Sequence, residues 1–241
     1  MMRKHPYEIL LDRKRKWSPV KPTVGELKDE AKATIRRALA ARHMELPVGA
    51  FITEGLEKDV PDNARKLLED NVKDEERHDL ALGYYADALG VNENEEKEGK
   101  LLRDAWINHP DHTITKALVA ERAIFFVLLP FFRFNGDAAL RTVSADISRD
   151  EQIHVGANTL VCHELGLSPS PSLDKLRKAT INWILQPLGI NTTCKYLDKK
   201  FWLDVSDRLM YEGKAPELIS TKTARMPAFF EHANTNLPQY A

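Results

Sequence analysis

Apolar residues recur along most of this chain at three- and four-residue spacing, with Ala, Leu, Lys and Glu filling the pattern and almost no alternation of β-branched residues. That period belongs to amphipathic helices, because 3.6 residues per turn return side chains i, i+3, i+4 and i+7 to one face. Glycine is sparse, so breakers are few. The pattern predicts a Pro-containing arm over residues 1–23 and a helix over 24–45. Asp62 or Asn63 caps a long helix that runs through Glu75, His78 and Tyr85 to a stop at Gly90. The highly charged stretch 92–100 reads as a solvated turn or a helix start. Asp111 or Thr113 caps a helix through Glu121, which Pro130 kinks or ends. Gly136-Asp137 opens the next helix, which carries Glu151 and His154 to a stop near Gly166. The stretch Ser168-Pro169-Ser170-Pro171-Ser172 is a loop. Two more helices, over 173–188 and 192–211, precede an irregular tail. The expectation is an all-α fold. No shift in composition marks a linker, so residues 1–241 are expected to form one domain: an arm (1–23), a helical body (24–213) and a C-terminal segment (214–241).

Charge removes several classes of partner from this picture. The 241 residues carry a net charge of only −1 with acids and bases interspersed, so neither a nucleic-acid surface nor an anionic-membrane surface is expected. Cys162 and Cys194 are the only cysteines, without a Cys-x-x-Cys. A disulfide framework and a thiolate zinc site are therefore not expected, and a reducing cytoplasm is. The basic N-terminus lacks the continuous apolar stretch of a secretory signal. The longest apolar run is broken by Glu121-Arg122 and by Pro130, so no membrane span is expected.

Candidate chemistry enters through a duplicated pattern. Glu45 is followed thirty positions later by Glu75 and His78, and Glu121 thirty positions later by Glu151 and His154. Chance alone supplies about 0.6 Glu-x-x-His matches in a chain this rich in Glu and His, so the shared offset is the informative part. On a helix, residues i and i+3 share a face. Two such pairs with two single glutamates are the ligand set of two-metal carboxylate sites in four-helix bundles. Glu54 is an alternative to Glu45, since Pro47 would distort a helix ending there. Glu75 and His78 also read as a solvated charged face within Asp74-Glu75-Glu76-Arg77-His78-Asp79. Glu121 is harder to explain away. It lies in an almost wholly apolar segment, where an unpartnered carboxylate costs several kcal/mol, and Arg122 points about 100° away.

Several of these segments resemble the small, radical-generating subunit of class I ribonucleotide reductase. Ser144-Ala145-Asp146-Ile147-Ser148-Arg149-Asp150-Glu151-Gln152-Ile153-His154 is similar to that family's fourth ligand helix, which reads Ile-Ser-Arg-Asp-Glu-x-x-His. Glu121-Arg122-Ala123-Ile124-Phe125-Phe126 looks like its third. His5-Pro6-Tyr7 with Trp17-Ser18-Pro19 is similar to its amino-terminal arm, and Pro227-Ala228-Phe229-Phe230-Glu231 through Tyr240 to the end of its helical body. The resemblance implies a ferritin-like four-helix bundle core with additional helices and an N-terminal arm. It also implies metal ligation by Glu45, Glu75, His78, Glu121, Glu151 and His154. Asp150 would bond His78 and Trp17, giving a path for coupled electron and proton movement, and Tyr240 would relay the radical onward. Read without the resemblance, Trp17 is equally a packing aromatic and Tyr240 a frayed terminal residue.

One departure changes the implied cofactor. The family's radical tyrosine stands four residues after the first His ligand, and here that position is Leu82. Tyr85 lies on nearly the same face, as a displaced redox residue or as a core tyrosine. A subgroup without the tyrosine stores its oxidising equivalent in a manganese-iron pair and has Glu as first ligand, as Glu45 would be. The resemblance therefore implies two metal ions, Mn/Fe favoured over Fe/Fe, activated by O₂. It also implies a homodimer that serves a large, nucleotide-reducing subunit. The chain is short for that family, and little remains after Tyr240 of the tail that docks the large subunit. Ile147, Phe125 and Leu129 are expected to wall the centre. The competing readings are a stand-alone two-metal oxygenase of the same superfamily and a ferritin-like metal-binding bundle.

Overall fold

The protein is described from a computed structural model, covering residues 4–58, 60–215 and Leu218. Ten α-helices lie among those residues, with no strand: α1 (Pro6–Leu11), α2 (Asp29–Ala40), α3 (Glu45–Glu57), α4 (Asp62–Leu89), α5 (Glu93–Ile107), α6 (Thr113–Ala120), α7 (Phe126–Asn135), α8 (Ala138–Glu164), α9 (Pro171–Ile184) and α10 (Lys199–Glu212). The fold is all-α, as the periodicity predicts, and is a ferritin-like bundle. Four helical columns form its centre. Helix α3 packs on α4 and α6, α4 on α8, and both α6 and α7 on α8. Around them, α2 and α5 cover one side, α9 and α10 pack against the α6–α7 column, and α1 lies across α4 and α8. No helix is long and apolar enough to cross a membrane among the described residues.

The largest difference from the predicted elements is α3. Instead of one helix over 24–45, α2 begins at Asp29 and gives way to a 3₁₀ turn (Ala41–Met44), after which Glu45 is the first residue of a new helix. Pro47 is its third residue, where the backbone N–H has no intrahelical partner, so the ring removes no bond. Two glycines further lower the helix signal, and both are contact points. A Cβ at Gly49 would touch the Glu75 Cβ at 3.4 Å, and one at Gly55 would lie 2.5 Å from Ile114 Cδ1. Packing has overridden propensity here. Gly55→Val is therefore expected to destabilise by about 2–3 kcal/mol through overpacking against α6. Gly83→Ala in α4, where no atom comes nearer than 3.9 Å, is expected to stabilise by roughly 0.5–1 kcal/mol. Urea unfolding midpoints moving in opposite directions would bear this out.

Smaller differences have local causes. The stretch after Gly90 is a helix start, because the Asn92 side chain accepts from the N–H groups of Asn94 and Glu95 to open α5. His112, rather than Asp111 or Thr113, caps α6, while the Asp111 carboxylate accepts from Ser170 N. Pro61 precedes α4, and Asp62 pairs with Arg65 instead of capping. Helix α9 ends at Ile184 and α10 starts only at Lys199, where Asp198 caps it. Pro130 does not end α7. The irregularity lies upstream, as one π turn over Glu121–Phe125 between α6 and α7.

Candidate metal centre

Each of the four columns contributes a carboxylate to one buried point. Glu45 comes from the first turn of α3, Glu75 and His78 from α4, Glu121 from the start of the π turn, and Glu151 and His154 from α8. All six side chains are at most 1% exposed. They form two overlapping groups able to hold a metal ion, Glu45-Glu75-His78-Glu151 and Glu75-Glu121-His154, with ligand atoms within 4.8 Å of one another in each group. Glu75 belongs to both. Glu151 Oε1 also faces both imidazoles, at 3.2 Å from His78 Nδ1 and 3.8 Å from His154 Nδ1. The expected Glu45 is in the cluster, whereas Glu54 is exposed and paired with Lys58. The reading of Glu75 and His78 as a solvated face does not hold, since both are fully buried.

The donor atoms fit a cation better than they fit one another. Glu45 Oε2, both oxygens of Glu75 and of Glu151, Glu121 Oε1, and Nδ1 of both histidines have no hydrogen-bond partner, though all are buried. Buried polar atoms are rarely left so, and these converge. Without a cation the cluster must share protons. Burial and the neighbouring Glu75 push Glu45 well above the usual carboxylate range, and burial with Glu151 does the same for Glu121. Burial alone would discharge the histidines, but the surrounding carboxylates outweigh it, raising His154 to about 10 and His78 well above its ordinary value. Burial would likewise raise Glu75, yet His154 and His78 draw it down to about 2. Two divalent ions would replace these protons, and carboxylate with imidazole suits manganese, iron, cobalt or zinc.

Behind the cluster the two halves support each other crosswise. His78 Nε2 donates to Asp150 Oδ2 at 3.2 Å, and His154 Nε2 donates to Asp74 Oδ2 at 3.0 Å. Each aspartate immediately precedes the glutamate of its own helix and orients the imidazole of the other helix, leaving Nδ1 toward the centre. Asp74 was not anticipated from sequence. The signal was present, since both halves read Asp-Glu-x-x-His, but it was absorbed into a charged run. Burial would raise both aspartates, and the histidine bonds outweigh it and lower them. Arg77 ties the pair together, donating to Asp74 and, at 3.2 Å, to Asp150 Oδ2. Asn158, also unanticipated, donates to Glu121 Oε2 at 2.8 Å. Asp74→Asn is expected to weaken metal affinity by about 10- to 100-fold, the usual effect of losing an outer partner of a ligating histidine. A competitive chelator titration reads it, and unchanged affinity would remove Asp74 from this role.

The arm closes the site from outside. Trp17 Nε1 donates to Asp150 Oδ2 at 2.7 Å, and its ring stacks on His78 at 6.1 Å and beneath the Arg77 guanidinium at 5.1 Å. Lys14 Nζ bonds Asp74 Oδ2 at 2.5 Å. Tyr7, in α1, donates to Glu164 at 2.9 Å. Tyr85 is fully buried about two turns beyond His78, and burial together with Asp137 raises its pKa. Leu82 is buried in the core, as are Ile147, Phe125 and Leu129. Tyr240 and the segment 227–231 lie outside the described residues.

No family model matches the sequence, and no curated protein matches it. A solved structure does match. The chain is similar to a Bacillus halodurans protein described provisionally as a class I ribonucleotide reductase, with a TM-score of 0.61 and 13% sequence identity over 86% of this chain and 89% of that one. At this identity the likeness is one of fold: the present chain shares the course of that protein's helices.

Proposed function

We propose that this chain is the small subunit of a class I ribonucleotide reductase, a single ferritin-like domain acting in the cytoplasm as a homodimer beside a large catalytic subunit. The observation that carries the reading is the continuous line from a buried two-metal ligand set through His78 and Asp150 to Trp17. A storage bundle has no use for that line. The provisional description of the Bacillus halodurans neighbour supports the same reading. Glu45, Glu75, His78, Glu121, Glu151 and His154 would hold the metals. Such a pair, when bound, supplies activation of O₂ and storage of one oxidising equivalent. The chain's own residues do the rest. Asp150 receives three donors on one oxygen and keeps the His78 tautomer fixed, while Trp17 offers an oxidisable ring and an N–H whose proton Asp150 can take. Ile147, Phe125 and Leu129, all buried, would wall the centre and keep water from it. Tyr240 would carry the radical onward to the large subunit.

Leu82 cannot hold a stable radical, so a Mn/Fe pair is favoured over Fe/Fe, with Tyr85 as the remaining buried tyrosine on α4. Loading the metal-free protein anaerobically with Mn, Fe or both, admitting O₂ and recording EPR spectra decides this. A coupled mixed-metal signal is expected only when both metals are present. A tyrosyl signal with iron alone would overturn the preference, and no metal uptake would overturn the site.

One feature favours a second reading, a stand-alone oxygenase. A groove of about 680 Å³ runs along α3 and α4, and Leu46 and Pro47, the residues following Glu45, line it. Its walls mix Phe51 and Leu80 with Arg42, His43, Asp79 and Asp87, so an organic substrate would meet both apolar and charged surface there. Consumption of O₂ with turnover of an added organic substrate, in the absence of a large subunit, would favour it.

A further inference from the structure

Outside the bundle, α9 and α10 grip the π turn that begins at Glu121. Ser206, fully buried on α10, donates to the Ala123 carbonyl within that turn at 2.7 Å. The Ser206 hydroxyl oxygen in turn accepts from Arg177 Nη1 at 2.7 Å, so the serine proton is aimed at the turn. Arg177 is itself fully buried on α9, and its other nitrogens are held by Asp174 at 2.7 and 2.8 Å and by Asp207 at 2.7 Å. In the opposite direction Arg122 Nε donates to the Leu209 carbonyl of α10 at 2.7 Å. The two residues directly after Glu121 are thus both tied to α10, one by its side chain and one by its backbone.

This arrangement calls for a reason. A π turn is less favourable than the α-helix it interrupts and persists where outside contacts hold it. A fully buried guanidinium is an expensive way to build a helix pair, since apolar side chains pack there without desolvating a charge. The turn also sets the reach of one carboxylate. Asn158 fixes Glu121 Oε2 from inside, leaving Oε1 as the free oxygen, 3.8 Å from His154 Nδ1.

We propose that Ser206 and Arg177 are positioning residues for the metal centre: the Ser206 hydroxyl, oriented by Arg177, holds the Ala123 carbonyl, keeps the π turn in register and fixes how far Glu121 reaches into the site. Neither residue touches the ligand cluster. The proposal rests on the metal-centre reading above, and it adds to that reading a control point on helices that supply no ligand.

The test is a Co(II) titration of the metal-free full chain, read by visible absorption, whose intensity follows coordination number and geometry. Ser206→Ala removes the hydroxyl, Ser206→Cys puts a slightly larger group with only a weak donor in its place, and Ser206→Thr restores the donor. The wild-type chain is expected to take up two equivalents. The Ala and Cys variants, with helical circular dichroism unchanged, are expected to show an altered band and to bind one of the two ions about 10-fold or more weakly, as losses behind a ligand do. The Thr variant should recover both. Should Ser206→Ala fail to fold, the Cys variant decides. A folded Ala or Cys variant with wild-type band and affinity overturns the proposal. Wild-type chain that binds no Co(II) overturns the metal-centre reading, and the proposal with it.

Discussion

Glu75→Gln is expected to lose both metal ions together. Glu75 is the carboxylate shared by the two ligand groups, with Oε1 2.9 Å from His154 Nδ1 and Oε2 3.7 Å from His78 Nδ1. An amide in its place offers one weak oxygen and no charge, so both groups lose the carboxylate they share. Glu45→Gln is the contrast. Glu45 belongs to one group only, so one ion should be lost and the other kept. Metal content after dialysis separates the cases, near zero for one variant and near one equivalent for the other. Thermal unfolding should agree, because an ion at 100 times its Kd stabilises by about 2.7 kcal/mol, and the glutamine at position 75 forgoes that twice. A Glu75→Gln chain that still holds one ion tightly would show that Glu75 does not bridge.

Trp17→Phe is expected to leave metal uptake unchanged and to suppress turnover with the large subunit. Phenylalanine preserves most of the packing against His78 and Arg77 but deletes the Nε1–H bond to Asp150 and is harder to oxidise. A buried hydrogen bond to a charged acceptor contributes about 1.5–3 kcal/mol. Lost from a rate-limiting transfer, that is roughly a 10- to 100-fold drop before the higher oxidation potential is counted. Rapid-freeze EPR should find the oxidised centre forming normally and then decaying without delivery. Unchanged turnover would make Trp17 a packing residue of the arm and leave the oxygenase reading in front.

What the sequence revealed of this site follows from what periodicity can encode. Spacing on one helix is local, so Glu75/His78 and Glu151/His154 were readable, and the apolar surroundings of Glu121 flagged it individually. Glu45 was separable from Glu54 only by the tertiary packing that makes α3 a helix despite Pro47, Gly49 and Gly55. Asp74 and Asp150 occupy equivalent positions, yet only Asp150 stood in a motif that drew attention. The bond between Asp74 and His154 joins residues eighty positions apart and has no periodic trace. The π turn was invisible for a related reason. Pro130 announced irregular backbone in that column, but its place at 121–125 coincides with bonds that arrive from α10.

The docking of the arm on both aspartates carries a thermodynamic obligation. Lys14 sits on Asp74 and Trp17 on Asp150, and each aspartate in turn faces a histidine of the opposite helix. Whatever free energy the docked arm contributes to metal binding through those contacts must reappear, in equal measure, as tighter residence of residues 5–17 on the bundle when metal is bound. Amide hydrogen exchange along the arm is therefore a gauge of occupancy at a centre to which the arm supplies no ligand, and a mutation at Lys14 is a mutation in metal affinity made at a distance.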